Sequence, residues 1–174
     1  MVFGTAVRLL GSPAEAEDVA QTVFLRAFQR FDTIGSSPAA AGWLMTVTRN
    51  ACLNHLSRHR SRWRLFSELE RPGADPADAA EIPGIPAMID NRRLVAEGSP
   101  AQEMEETERR ERLEQALGRL PDHQRVPLVL FHFEEISYQD IADALGVSLG
   151  KVKTDIHRGR EALKRLLTTD HASR

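Results

Sequence analysis

The stretch Ser137-Tyr138-Gln139-Asp140-Ile141-Ala142-Asp143-Ala144-Leu145-Gly146-Val147-Ser148 predicts two helices meeting at a sharp turn. Ser137 and Asp140 have the spacing of a capping box. Ile141 and Leu145 lie one turn apart on one face, and Ala142 is small enough for a second helix to cross closely. Gly146 suits the turn itself, and Ser148 suits the cap of the second helix. In that helix Val152, Ile156 and Leu163 face inward, which leaves Lys151, Lys153, Thr154, Asp155 and Arg158 among the more exposed positions. Cations in a first turn oppose the helix dipole by a few tenths of a kcal/mol each, so fold stability alone does not select the two lysines. The phosphates around a helix inserted into a major groove do. The pattern therefore reads as a DNA-binding helix-turn-helix rather than a plain helical hairpin with solvated lysines. Its candidate DNA-facing residues are Ser148, Lys151, Lys153, Thr154, His157 and Arg158. Arg158 reads a base if the helix enters deeply, and otherwise Thr154 is nearer the bases. Asp155 is a candidate negative selector, or simply a partner for Arg158 three residues on.

Upstream, Glu103–Leu120 predicts a charged helix with Leu113, Ala116, Leu117 and Leu120 on one face. Pro121 opens another, in which Pro127 either makes a kink or marks the true start. Three helices are expected in the first third of the chain. One covers Phe3–Leu10 and stops at Gly11. The next opens at Ser12-Pro13-Ala14-Glu15, where Ser12 caps, Pro13 suits the first helical position and Glu15 completes the box. Its apolar stripe is Ala16, Val19, Ala20, Val23, Phe24, Ala27, Phe28 and Phe31, and all of these are expected in the core. A third helix begins near Pro38 and passes Leu56. No strand pattern appears, so the fold class is all-α: two small helical domains joined by a flexible linker.

The net charge of −2 conceals an uneven distribution. Residues 1–66 carry +4, residues 67–108 carry −8 and residues 109–174 carry +2. The middle segment is dense in helix breakers, with Arg71-Pro72-Gly73-Ala74-Asp75-Pro76, Ile82-Pro83-Gly84-Ile85-Pro86 and Gly98-Ser99-Pro100. It reads as an acidic tether. The expected organisation is therefore a domain over 1–66, a linker over 67–108, a second domain over 109–168 and a tail over 169–174, with the two domains folding separately. One cysteine, Cys52, forms no internal disulfide, and the histidines lack metal-ligand spacing, so no metal or other cofactor is expected. No signal peptide or membrane span is evident, and a cytoplasmic protein without membrane insertion is expected.

Two further surfaces stand out. From Thr33 to Ser67 there is no acid, while Arg49, Arg58, Arg60, Arg62 and Arg64 accumulate beside a polar stripe of Thr46, Asn50, Asn54 and Ser57. Amides and hydroxyls beside arginines suit base edges and phosphates together, and Arg49, Asn50, Asn54, Arg58 and Arg60 are the candidate DNA contacts. A solvated helix end is the plainer account of the arginines. Trp43 is expected in the core, and Trp63 near DNA or solvent. On the second helix, Asp18, Gln21, Thr22 and Leu25 form one face opposite the core stripe, a candidate protein-docking patch.

Several of these segments together resemble the extracytoplasmic-function (ECF) sigma factor family of bacterial RNA polymerase. Ala16-Glu17-Asp18-Val19-Ala20-Gln21-Thr22-Val23-Phe24-Leu25-Arg26-Ala27-Phe28 is similar to the polymerase-binding part of sigma region 2. Trp43-Leu44-Met45-Thr46-Val47-Thr48-Arg49-Asn50 is similar to the promoter-opening segment that follows it. Leu120-Pro121-Asp122-His123-Gln124-Arg125, Ser137–Ser148 and Val152-Lys153 through His157-Arg158-Gly159-Arg160 resemble region 4. The resemblance covers nearly all of the chain outside the linker. It implies that Asp18, Gln21, Thr22 and Leu25 bind core RNA polymerase. It also implies that the loop after Asp32 and the Trp43 helix engage the melted −10 element of promoter DNA, and that the helix-turn-helix reads the −35 element. An anti-sigma factor is the further partner it implies, and enzymatic activity is not expected. This sequence departs from the pattern in several places. Thr22 replaces a commonly acidic residue, Ala39, Ala40 and Ala41 stand where aromatics are frequent, and Asp155 stands where arginine is common. The linker is longer than usual, and much of the family's first helix is expected to be absent or to lie upstream of Met1. A different class, a helix-turn-helix regulator acting on duplex DNA without polymerase, lacks a use for the Asp18–Leu25 face and the acid-free arginines. A helical hydrolase or nuclease needs clustered carboxylates, a metal set or a nucleophile–base pair, none of which is evident.

Overall fold

The computed structural model describes residues 1–67 and 100–172, with side chains over 1–58 and 104–169. Among the described residues there are eight helices and no strand: α1 (Val2–Leu10), α2 (Pro13–Gln29), α3 (Phe31–Ile34), α4 (Ala40–Ser67), α5 (Pro100–Gly118), α6 (Asp122–His132), α7 (Tyr138–Leu145) and α8 (Leu149–Ala172). The chain is all-α, as the periodicities require.

Local chemistry sets the ends of these elements. Gly11 closes α1 in the left-handed region, φ 70°, and donates to the Val7 carbonyl at 2.7 Å. Ser12 caps α2, its hydroxyl accepting from the Glu15 amide at 3.4 Å, with Pro13 in the first turn. Ser137 accepts from the Asp140 amide at 3.2 Å, and Gly146, φ 62°, ends α7. The Val147 amide then reaches back to the Ala142 carbonyl, which completes the turn of the helix-turn-helix. Ser148 accepts from the Lys151 amide at 3.3 Å and so caps α8.

In the first block, Val2, Ala6, Leu9 and Leu10 of α1 pack with Ala16, Val19, Ala20 and Val23 of α2 and Cys52, Leu53 and Leu56 of α4. In the second, Leu117, Val126, Leu128, Val129 and Leu130 meet Ile141, Ala142 and Ala144 of α7 and Val152 and Ile156 of α8. Gly159 lets α8 lie close to α6, since a side chain there would meet the Gln124 carbonyl at 3.1 Å. The blocks also pack on each other, α1 against α5 and α6, and one apolar core runs through both.

Three expectations are corrected and one is narrowed. Phe24, Phe28 and Phe31 lie outside the core, 55, 80 and 65% exposed. The cause is length. With nine residues in α1 and seventeen in α2, the last turns of α2 run past α1 after the reversal at Gly11–Ser12. Phe31 belongs instead to the separate turn α3. Of the two alternatives for Pro127, the helix start is excluded, because α6 begins at Asp122 and Pro127 lies inside it. Asp155 is buried rather than exposed, and it pairs with Lys151 instead of Arg158. The acidic tether falls mostly on residues 68–99, outside the described residues; α5 begins at Pro100, inside the segment assigned to the linker.

The two left-handed glycines separate backbone strain from contact. A methyl group on Gly146 meets nothing, whereas one on Gly11 comes within 2.6 Å of the Arg125 guanidinium. Gly146→Ala should cost about 1–2 kcal/mol of unfolding free energy from φ alone. Gly11→Ala should cost measurably more in the same urea titrations; equal costs would contradict the close approach of Arg125.

Candidate functional site

The outward face of α8 carries the candidate DNA-reading residues. Ser148, Lys151, Lys153, Thr154, His157 and Arg158 are all exposed, while Val152 and Ile156 anchor the helix at 1% exposure each. They are not equally available. Lys151 is held by Asp155 at 2.7 Å, and the Thr154 hydroxyl donates to the Gly150 carbonyl at 2.9 Å. Lys153, His157 and Arg158 make no hydrogen bond or ion pair among the described residues. The free cations of this face are thus Lys153 and Arg158, and Asp155 acts as a partner that orients Lys151.

Asp18, Gln21, Thr22 and Leu25 share one exposed face of α2, and Leu25 is 65% exposed. The Thr22 hydroxyl donates to the Asp18 carbonyl at 3.0 Å. With Phe24 and Phe28 also exposed, this helix carries an apolar surface rimmed by Asp18 and Gln21. A surface of that make-up is a candidate protein interface.

The arginine set on α4 divides. Arg58 is exposed, Asn50 and Asn54 are half-buried, and the side chain of Arg60 lies outside the described residues. Arg49 is buried, at 5% exposure. Its Nη1 donates to the Glu134 carboxylate at 3.2 Å and its Nη2 to the Thr46 hydroxyl at 3.2 Å. In this conformation Arg49 meets a carboxylate where a phosphate was expected. The other Glu134 oxygen accepts from the Thr5 hydroxyl at 3.1 Å. Arg8 adds positive charge beside it, pairing with Glu114 at 3.1 Å and lying over the Phe133 ring. Burial pushes the Glu134 carboxyl above the ordinary range, and the opposing pull of Arg49, Thr5 and Arg8 does not offset it.

Arg125 joins the blocks a second time. Its Nε and Nη2 donate to the Leu9 and Leu10 carbonyls at 3.2 and 2.7 Å, the otherwise unpaired end of α1. Nη1 donates to the Leu120 carbonyl, and Asp122 balances the charge at 2.6 Å. Sequence reasoning missed Thr5, Glu134 and the role of Arg125, because all three act between segments distant in the chain. The available signal was Glu134 itself, a carboxylate following the apolar run Leu128–Phe133.

No group of side chains suited to a metal ion occurs among the described residues, and no described helix is long and apolar enough to cross a membrane.

Two family models match: sigma-70 region 2 over residues 1–62 and sigma-70 region 4 over residues 110–163. The chain is 29% identical over 167 residues to the ECF RNA polymerase sigma factor SigW of Bacillus subtilis, covering 95% of this chain and 82% of that one. It is 30% identical over 168 residues to the RNA polymerase sigma-H factor of Pseudomonas aeruginosa, covering 95% and 80%. In fold it is similar to the sigma factor RpoE of Bartonella quintana, solved in complex with the anti-sigma factor NepR. That match has a TM-score of 0.50 at 22% identity and covers 97% of this chain and 91% of the other.

Cys52 lies fully buried in the first block, and burial, aided by the nearby Glu134 charge, pushes its thiol up to about 12. At pH 8 the folded protein should therefore resist alkylation and react only once unfolded, as read by mass spectrometry across a urea series. Full labelling of the native protein within minutes would contradict this packing.

Proposed function

The chain belongs to the ECF family of bacterial RNA polymerase sigma factors, and from that premise we propose which of its surfaces carry each part of the work. The exposed face Asp18, Gln21, Thr22 and Leu25 binds core RNA polymerase. The outward face of α8 reads the −35 element as duplex, and Asn50, Asn54, Arg58 and Arg60, together with Arg49 once it is released, contact the −10 element as it opens. Residues 1–66 and 109–168 act as two separable units, because the two DNA elements are read apart. An anti-sigma factor is the proposed inhibitory partner. The protein performs no catalysis; polymerase supplies the chemistry, and this chain supplies position. The regulator reading gives no role to the α2 face, and nothing in the geometry favours it.

The observation that carries this reading is the pair of unoccupied faces on one chain. One is apolar and protein-like on α2, and the other is cationic and suited to phosphate on α8. Lys153 has no partner among the described residues and so contributes phosphate attraction. Neutralising one such cation lowers the salt dependence of DNA binding by about one unit of slope. Lys151 contributes less, because Asp155 already holds it.

Leu25→Arg should weaken binding to core polymerase at least tenfold in fluorescence anisotropy while leaving helix content unchanged. Lys153→Ala should leave core binding alone and reduce the salt slope of promoter binding by the assembled holoenzyme by about one. A folded Leu25→Arg variant with unaltered core affinity would remove the α2 assignment, and an unchanged slope in Lys153→Ala would remove that of α8.

A further inference from the structure

We propose that Glu134 is an intramolecular latch: its carboxylate occupies the Arg49 guanidinium in the place of promoter phosphate and holds the free protein closed. This rests on the reading of Arg49 as a promoter contact and goes beyond it, because it assigns a competitor for that contact within the same chain.

Three observations carry the proposal. First, the pair joins distant blocks. Glu134 lies between α6 and α7, whereas Thr5 and Arg49 lie on α1 and α4, and all three are at most 6% exposed. Second, donors stay unmet even with Glu134 on Arg49 and Glu114 on Arg8. The Nε atoms of both Arg49 and Arg8 are buried without an acceptor. A backbone phosphodiester carries the same single charge as a carboxylate, but successive phosphates along a strand can meet both arginines where Glu134 meets one. Third, the closed arrangement cannot straddle a promoter. Arg49 touches Glu134, and a helical unit of the size of residues 109–168 is roughly 30 Å across, so Arg49 and the α8 face lie within about that distance. The −10 and −35 elements are about 25 base pairs apart, roughly 85 Å at 3.4 Å per pair. Reading both elements at once therefore requires the blocks to part, and parting breaks the Glu134–Arg49 pair.

Burial acts against the charged form of Glu134 and so opposes the pair. Arg125 stays satisfied on its own side when the blocks part, through Leu120 and Asp122, and gives up only the α1 carbonyls.

Spin labels at Ala14→Cys on α2 and Gln139→Cys on α7, both exposed, report the separation in the full-length protein by pulsed electron resonance. Cys52 is buried and stays unlabelled. Free wild type should give one narrow distribution below roughly 40 Å. Core polymerase with promoter DNA should shift it beyond about 50 Å. Glu134→Gln and Arg49→Gln should both broaden the free distribution at wild-type helix content. Glu134→Gln should bind a single-stranded −10 oligonucleotide about tenfold tighter, as its binding-competent fraction rises, while Arg49→Gln should show no gain. Wild-type distances in both folded variants would overturn the latch. Opening of both variants without a gain in Glu134→Gln would leave the closure standing and overturn the competition with DNA. If either variant loses helix content, wild type decides: a broad distribution in the free protein, or a short one on promoter-bound polymerase, overturns the proposal.

Discussion

Burying a guanidinium is costly unless its charge and most of its donors find partners, and the arrangement of this molecule follows from how two such groups are engaged. Arg125 is 4% exposed and finds the last carbonyls of α1, the Leu120 carbonyl and Asp122. Gly11 has no side chain where that guanidinium sits, so its left-handed turn serves the end of α1 and the approach of α6 together. Arg49 finds Glu134 and Thr46. Without these pairings the apolar contacts between the blocks would bring buried charge with them, and packing α1 on α6 would cost more than it returns.

The same constraint separates structural charge from functional charge. Arg49, Arg125, Glu134 and Asp155 are buried and engaged. Lys153, Arg158, Arg58 and the α2 face lie outward. The second group is what the fold leaves open to a partner. The first group decides which surfaces are presented together. The exposed phenylalanines of α2 extend the Asp18–Leu25 face with apolar area that the described fold leaves uncovered.

Much of this was legible in the sequence, where spacing within one element decides the outcome. Ser12, Gly11, Ser137, Gly146 and Ser148 each took the capping or turn role that their residue type predicts, and Ile141, Val152 and Ile156 took the core. Periodicity failed at Phe24, Phe28 and Phe31, because a stripe shows which face is apolar but not how far its partner helix extends. It failed again at Asp155, where the i−4 partner Lys151 prevailed over the i+3 partner Arg158. The Glu134–Arg49 and Arg125–Leu10 contacts join residues 85 and 115 positions apart, which no local pattern reports. The sigma-factor family came through the order of motifs along the chain, which the family matches over 1–62 and 110–163 bear out.

As a sigma factor, this chain turns core RNA polymerase into a promoter-specific enzyme. Run-off transcription measures it directly, with purified core polymerase on a library of double-stranded templates that hold a randomised −35 and −10 region. Transcripts should start at one position downstream of a shared pair of sequence elements, and only when the protein is added. Transcription that is indifferent to the protein, or starts scattered without common upstream elements, would contradict the account.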